Sequence, residues 1–324
     1  MDKAFFKELH EVGLISDESL FKIEQKRLNP LFSIFWEVRT LLFIGIALLA
    51  SGLGILVYEN IDTIGHEAVL VFIALVCIGS FGWCFKHKKP FSIYKVAPPN
   101  VFFDYVVLLG IVSLLTFTCY LQYQYHVFGD HYGMATFIPM LILFYIAYDF
   151  DHPGILNIAI VNLALWMGIS VTPRDLLLNY TFDSLTIIFT YLALGMILLT
   201  AGWLSGKYNF KAHFKFSYQH YGVHISCIAL LAGYYNNTAD TYFLWMLGLF
   251  ILSAFIFYDS FRQKNYYFIV TVMLYSYLGL SSLVVRLLYT TDESGFYLGM
   301  LYFIFSAGGL IFLLIDINKK LRAA

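Results

Sequence analysis

The chain has 324 residues, of which 60% are apolar, 19% aromatic and only 13% charged, with a net charge of −1. A soluble domain is roughly 45–50% apolar and about 25% charged, so this composition excludes a chain that faces water on all sides. It also excludes a disordered chain, a disulfide scaffold and a nucleic-acid binder, the last for want of a basic excess to hold phosphates.

An all-α, polytopic integral membrane bundle is the class that fits, with the lipid bilayer as its first partner. Residues 1–39 are polar, without an early apolar region or a small-residue cleavage site, so they read as no cleavable signal. Phe5, Phe6, Leu9 and Val12 recur at helical spacing, Gly13 ends that piece, and Ser16 caps a second helix through Leu20, Phe21 and Ile23. Asp17 and Glu18 open the second helix where a DNA-recognition helix would meet phosphates, which argues against a helix-turn-helix. An amphipathic tail on the inner membrane face, or against a protein partner, is the reading.

A bilayer core about 30 Å thick needs roughly 20 mostly apolar residues per spanning helix. Ten runs approach that length: Thr40–Tyr58, Glu67–Phe85, Val101–Leu121, Gly133–Tyr148, Gly154–Val171, Phe182–Leu204, Phe216–Tyr234, Thr241–Tyr258, Tyr266–Tyr289 and Phe296–Ile315. The fourth and fifth are short and separated only by Asp149 to Pro153, which leaves a re-entrant hairpin open as an alternative. Pro139 predicts a kink or break in the fourth. Residues 40–315 thus form the transmembrane domain and 316–324 a short basic C-terminus.

With the N-terminus in the cytoplasm, the inner segments hold 18 of the 20 basic residues and the outer side keeps only Arg174 and Arg286. The positive-inside rule, read independently of hydropathy, therefore agrees with ten spans and both termini inside. The implied placement is multi-pass within a membrane.

From Leu9 through Trp83 the chain resembles the predicted bacterial membrane proteins of domain of unknown function 2157. The features that carry the likeness are EVGLISDESL (Glu11–Leu20) and a Gly- and Leu-rich first span, GIALLASGLGILVYENID (Gly45–Asp62). Where the family has Asn-Trp near the outer surface, this chain has Asn60-Ile61. The resemblance implies many spans and a cytoplasmic helical tail, and no reaction.

FYIAYD (Phe144–Asp149) and FIFYD (Phe255–Asp259) end the fourth and eighth runs at an offset of 110 residues. They suggest two parallel four-helix repeats, against which stands chance matching of tyrosine-rich interfaces. The four cysteines all fall in apolar runs and read as small buried residues. Gly45, Gly52 and Gly54, and Gly299, Ala307, Gly308 and Gly309, read as helix-packing seams.

No catalytic or nucleotide motif is present, no cofactor is implied, and no set of metal ligands stands at the right spacing. The candidate inner-face acids are Asp104, Asp149 and Asp259, with Asp151 and His152 in the tight turn and Arg262 or Lys264 as the cation to offset Asp259. The outer mouth is acidic, with Glu59, Asp62, Glu67, Asp130, Asp175, Asp183, Asp240, Asp292 and Glu293, and an ordinary outer surface is favoured there over a cation-attracting vestibule or a divalent-metal site. A candidate polar pocket is Asn162 with His220 and His224: Asn162 and His224 lie at nearly the same depth, and the two histidines are i, i+4 on one face. The alternative for each is a local bond to a backbone carbonyl or a tyrosine. The leading function is transport or channel-like passage of a small solute, ion or lipid. Its rival is a non-catalytic component that docks partners through the tail, and an intramembrane enzyme is the least favoured reading.

Overall fold

The computed structural model describes residues 65–129, 131–171, 185–236, 242–288 and 293–323, with positions 10, 15–20, 22, 44, 48, 55 and 59 before them. Most of the tail, most of the run Thr40–Tyr58 with Gly45, Gly52 and Gly54, and six of the acids expected at the outer mouth, Asp62, Asp130, Asp175, Asp183, Asp240 and Asp292, lie outside the described residues. The chain divides into two compact units, Met1–Val69 and Leu70–Ala324. In the first, Ser16 caps as expected: its hydroxyl accepts the Ser19 N–H at 3.3 Å at the head of the helical residues Asp17 to Leu20.

Every regular element among the described residues is helical. The α-helices are α1 (His66–His87), α2 (Val101–Tyr125), α3 (Tyr132–Asp149), α4 (Pro153–Val171), α5 (Leu185–Lys207), α6 (Lys215–Asn236), α7 (Tyr242–Arg262), α8 (Tyr266–Leu288) and α9 (Glu293–Ala323), with a 3-10 turn, Ala212–Phe214, before α6. Seven of them, all but α3 and α6, are long and apolar enough to cross a membrane. α3 is short. α6 is long enough, but Lys215, Ser217, Gln219, His220, His224 and Ser226 dilute its apolar content.

α3 is continuous across Pro139, so of the expected kink or break it is the break that is absent. It pairs antiparallel with α4: Gly133 lies against Ser170 and Trp166 at one end, and three residues join the helices at the other. At 1.5 Å per residue each is about 27 Å long, close to the thickness of a bilayer core.

Chain neighbours pack along one another from α2 to α9, and α6 also touches α4 and α8, which makes it the central helix. One core cluster runs through α1 to α5 and reaches Tyr218 of α6, and a second joins α6, α7 and α8. Lipid is as apolar as leucine, so helices associate through close backbone approach rather than apolar burial. The seam that does this lies between α5 and α6. A Cβ at Gly222 would stand 3.0 Å from the Leu199 nitrogen, and one at Gly195 would stand 2.8 Å from the Ser226 nitrogen. The small residues Ser217, Gly222, Ser226, Ala229 and Gly233 of α6 are all buried.

On the last span, a Cβ at Gly299 would meet Leu288 at 3.7 Å, an ordinary contact, and the other glycines of the expected seam find no neighbour among the described residues. Among the described residues, a methyl group added at Gly308 or Gly309 would meet nothing within 4 Å, and none of them buries the apolar stretch of α9. Cys77, Cys84 and Cys227 are buried, whereas Cys119 is exposed on α2, contrary to the expectation for all four. The α3–α4 and α7–α8 turns are alike in form. Each has a left-handed residue, Asp151 (φ 59°) and Lys264 (φ 55°), followed by a long backbone bond, His152 N–H to Ala147 O and Asn265 N–H to Ser260 O. These residues stand three positions out of the register that aligns Asp149 with Asp259.

Candidate functional site

Four turns are tied together at one end of the bundle: the three that carry lysines, α1–α2, α5–α6 and α7–α8, and the α3–α4 turn, which carries none. The tie centres on Asp151. Its carboxylate accepts Lys211 Nζ at 2.7 Å and His213 Nε2 at 2.7 Å on one oxygen, and the Val96 N–H on the other. The Lys211 and Asp151 side chains are 1% and 2% exposed, so this is a buried pair with its lone pairs satisfied, the condition for tolerating buried charge. Lys211 Nζ also lies 4.8 Å from the centre of the Phe91 ring. Its backbone is left-handed (φ 49°), which turns its N–H to Ile93 O at 3.0 Å. Beside the centre, Lys88 meets Asp149 at 2.6 Å, and His152 Nε2 stands 3.7 Å from Asp104. His152 Nδ1 accepts the Ile155 N–H at 3.2 Å, capping α4. Burial pushes the His152 imidazole below its ordinary value, with the Asp104 carboxylate opposing.

Two of the three candidate acids, Asp104 and Asp149, thus flank this network, whereas Asp259 belongs to another place. It accepts Gln263 Nε2 at 2.5 Å, and Gln263 Oε1 accepts Lys215 Nζ at 2.7 Å. Its cation is therefore Lys215, reached through Gln263. Arg262 instead lies over the Tyr258 ring at 5.8 Å.

Asp259 stands at the rim of a cavity of about 480 Å³ between α5, α6 and α7, with Phe268 of α8 closing one side. The lining is graded along the helices. Nearest the lysine-bearing end are Trp203, Gln219, Tyr258, Asp259 and Arg262, and deeper are Met196, Leu199, Val223, Leu252 and Ile256. From Arg262 to Leu252 is ten residues of α7, about 15 Å. Lys207 adds a cation 4.6 Å from the Trp203 ring. Polar rim over apolar depth is the form of a site for a molecule with a polar head and an apolar body.

The candidate polar pocket separates into two. Asn162 is buried, and its Nδ2 donates to Thr136 O at 3.1 Å, a carbonyl in the turn of α3 that precedes Pro139. Proline loosens the backbone ladder there, and the amide supplies a donor from the next helix. His220 and His224 come together as their spacing predicts, with ring centres 4.7 Å apart, and both bond tyrosines of α8. Tyr267 Oη lies 2.7 Å from His220 Nδ1 and 3.0 Å from His224 Nε2, and Tyr275 Oη lies 2.8 Å from His224 Nδ1. The structure does not bring Asn162 to either histidine.

Sequence reasoning missed Lys211, His213, Tyr267 and Tyr275. The tyrosines had a signal, since they stand eight residues apart on one helix opposite a histidine pair. Lys211 had none, for in KYNFKAHFK it reads as a solvated loop lysine. Among the described residues no group of three or more His, Cys, Asp or Glu is placed to hold a metal ion.

Residues 7–156 match the family described as Predicted membrane protein (DUF2157). The chain resembles that family well beyond its first quarter, through the first helices and into α4. No curated protein and no solved structure matches it. The long apolar helices and the family likeness agree on an integral membrane protein in a lipid bilayer.

Proposed function

We propose that the protein carries a lipid-like amphiphile across a bacterial inner membrane, the lipid member of the solute, ion and lipid classes admitted by the sequence. The graded cavity between α5, α6 and α7 carries this reading: Arg262 and Lys207 suit an anionic head, Asp259 a cationic one, and the apolar depth an acyl body. In the full arrangement, ten spans follow a cytoplasmic tail of residues 1–39, both termini lie inside, and α2–α5 and α6–α9 form two parallel halves.

The test is flip of a head-labelled fluorescent phospholipid in liposomes, read by dithionite quenching. The wild type should raise the inward–outward exchange rate at least about tenfold over empty liposomes. Filling the cavity with Leu252→Trp should return it towards background, and Arg262→Ala should weaken it. A protein that leaves the exchange rate unchanged overturns the proposal. The rival, a non-catalytic component that docks a protein partner, draws support from the capped tail helix at Ser16 and its Lys22–Glu18 pair at 2.5 Å. Deleting residues 1–28 should leave flip intact under the first reading.

A further inference from the structure

The two histidines and two tyrosines between α6 and α8 form a continuous chain in the order His220, Tyr267, His224, Tyr275. We infer that this chain is a proton-binding and proton-transfer site, holding one proton that moves between His220 and His224 through the Tyr267 hydroxyl. The inference stands on these four residues and does not depend on the cavity.

The geometry dictates the chemistry. A phenol has one proton, so Tyr267 donates to one imidazole and must accept from the other. With neutral rings the chain therefore has a direction. In one direction His220 Nδ1–H donates to Tyr267, Tyr267 O–H donates to His224 Nε2, and His224 Nδ1–H donates to Tyr275. His220 Nε2 is then a bare lone pair with no partner among the described residues, and it is where a proton adds. The balance is complete: the added proton bonds to His220 Nε2, the His220 Nδ1 proton passes to the Tyr267 oxygen, and the Tyr267 proton passes to His224 Nε2. Positive charge has moved from one ring to the other, His220 is neutral again, and Tyr267 is again a phenol. No other reactant is needed.

One proton is the capacity, because two imidazolium rings with centres 4.7 Å apart repel strongly where water is scarce. The surroundings leave the pair as the local titrating unit. Tyr221 of α6 meets His220 edge-on at 5.1 Å, and Phe216 lies against His220 and Tyr267. Among the charged groups on the neighbouring elements, Lys207 lies over Trp203, Asp259 and Lys215 bond Gln263, Arg262 lies over Tyr258, Arg286 over Tyr242, and His213 bonds Asp151, while Lys264, in the turn that precedes Tyr267, is exposed. Gln219 and Val223, on the adjoining face of α6, line the cavity.

The test is magic-angle-spinning NMR of the full chain in liposomes with 15N-labelled histidine, the two rings assigned by difference from His220→Asn and His224→Asn. Between about pH 8 and pH 5, the range in which histidines ordinarily titrate, one proton should load across the two rings with exchange between their signals. Tyr267→Phe keeps the ring contacts and should slow that exchange at least about tenfold, with thermal unfolding confirming the fold. Two rings that both stay neutral at pH 5, or that each take a full proton independently in the wild type, overturn the inference. Exchange unchanged in a folded Tyr267→Phe protein overturns the transfer step.

Discussion

At the scale of single residues, the most consequential group is a lysine that looks like a loop residue. Lys211 and Asp151 are buried together, so removing one partner strands the other charge, which typically costs about 3–5 kcal/mol. Lys211→Met and Asp151→Asn should each lower the thermal midpoint in detergent substantially. The double variant should cost less than the sum of the two, because it leaves no orphan charge. Asp149→Asn should cost less than either, since Lys88 and Asp149 are 29% and 12% exposed and solvent screens them. His152 gives the network a pH dependence whose sign is fixed. Its folded imidazole is held below the ordinary value by burial, so the unfolded chain binds the proton more readily. Stability should be full above the unfolded value of about 6.5 and fall as pH drops through it. Protonation also removes the Nδ1 lone pair that caps α4. Melting curves from pH 7.5 to pH 5 should show this loss, His152→Gln should flatten it, and Asp104→Asn, which removes the opposing charge, should steepen it.

Between helices, backbone approach decides more than apolar area. Gly195→Ala would place its new carbon against Ser226, both side chain and backbone, and Gly222→Ala would press on the Leu199 nitrogen and the Gly195 carbonyl. Backbone cannot rotate away, so the helices must part, at a cost of about 1–3 kcal/mol. Gly308→Ala and Gly309→Ala should lie within about 0.5 kcal/mol of wild type by the same unfolding measurement. Equal losses at all four positions would refute the α5–α6 seam. The contrast shows what the sequence makes legible. Helix positions follow from runs of apolar residues, so every described helix falls where a run predicts one, α6 included despite its polar side chains. The His220–His224 pairing follows from a spacing of four. Partners across helices do not follow, because glycines in α5 and α9 look alike in sequence and only packing distinguishes them. Asn162 and His224 match in depth, yet equal depth places no two helices side by side. Asp259 finds its cation through Gln263, a residue with no charge to attract notice.

At the scale of the whole molecule, the four turns α1–α2, α3–α4, α5–α6 and α7–α8 share one end of the bundle, because hydrogen bonds join them. Lys88 and Val96 of the α1–α2 loop reach Asp149 and Asp151, Lys211 reaches Asp151, and Lys215 reaches Gln263 after α7. Each pair α2–α3, α4–α5 and α6–α7 therefore leaves this end of the bundle and returns to it. A hairpin of α3 and α4 dipping in from the opposite side would not bring Asp149 within 2.6 Å of Lys88. The positive-inside rule predicts that this end is cytoplasmic, since it carries Lys88, Lys89, Lys95, Lys211, Lys215, Arg262 and Lys264. Single cysteines in a background lacking Cys77, Cys84, Cys119 and Cys227 can check both statements. Tyr94 in the α1–α2 loop and Tyr235 near the end of α6 are 75% and 65% exposed, and Pro153 in the α3–α4 turn is also exposed. Tyr94→Cys and Pro153→Cys should react with an impermeant maleimide only after the inner face is opened, and Tyr235→Cys in intact cells. Pro153→Cys reacting from outside would sever the α3–α4 turn from the charged network. Tyr94→Cys and Tyr235→Cys exchanging behaviour would keep the bundle and invert it, placing the cavity rim on the outer face and reversing the direction from which a lipid head is received.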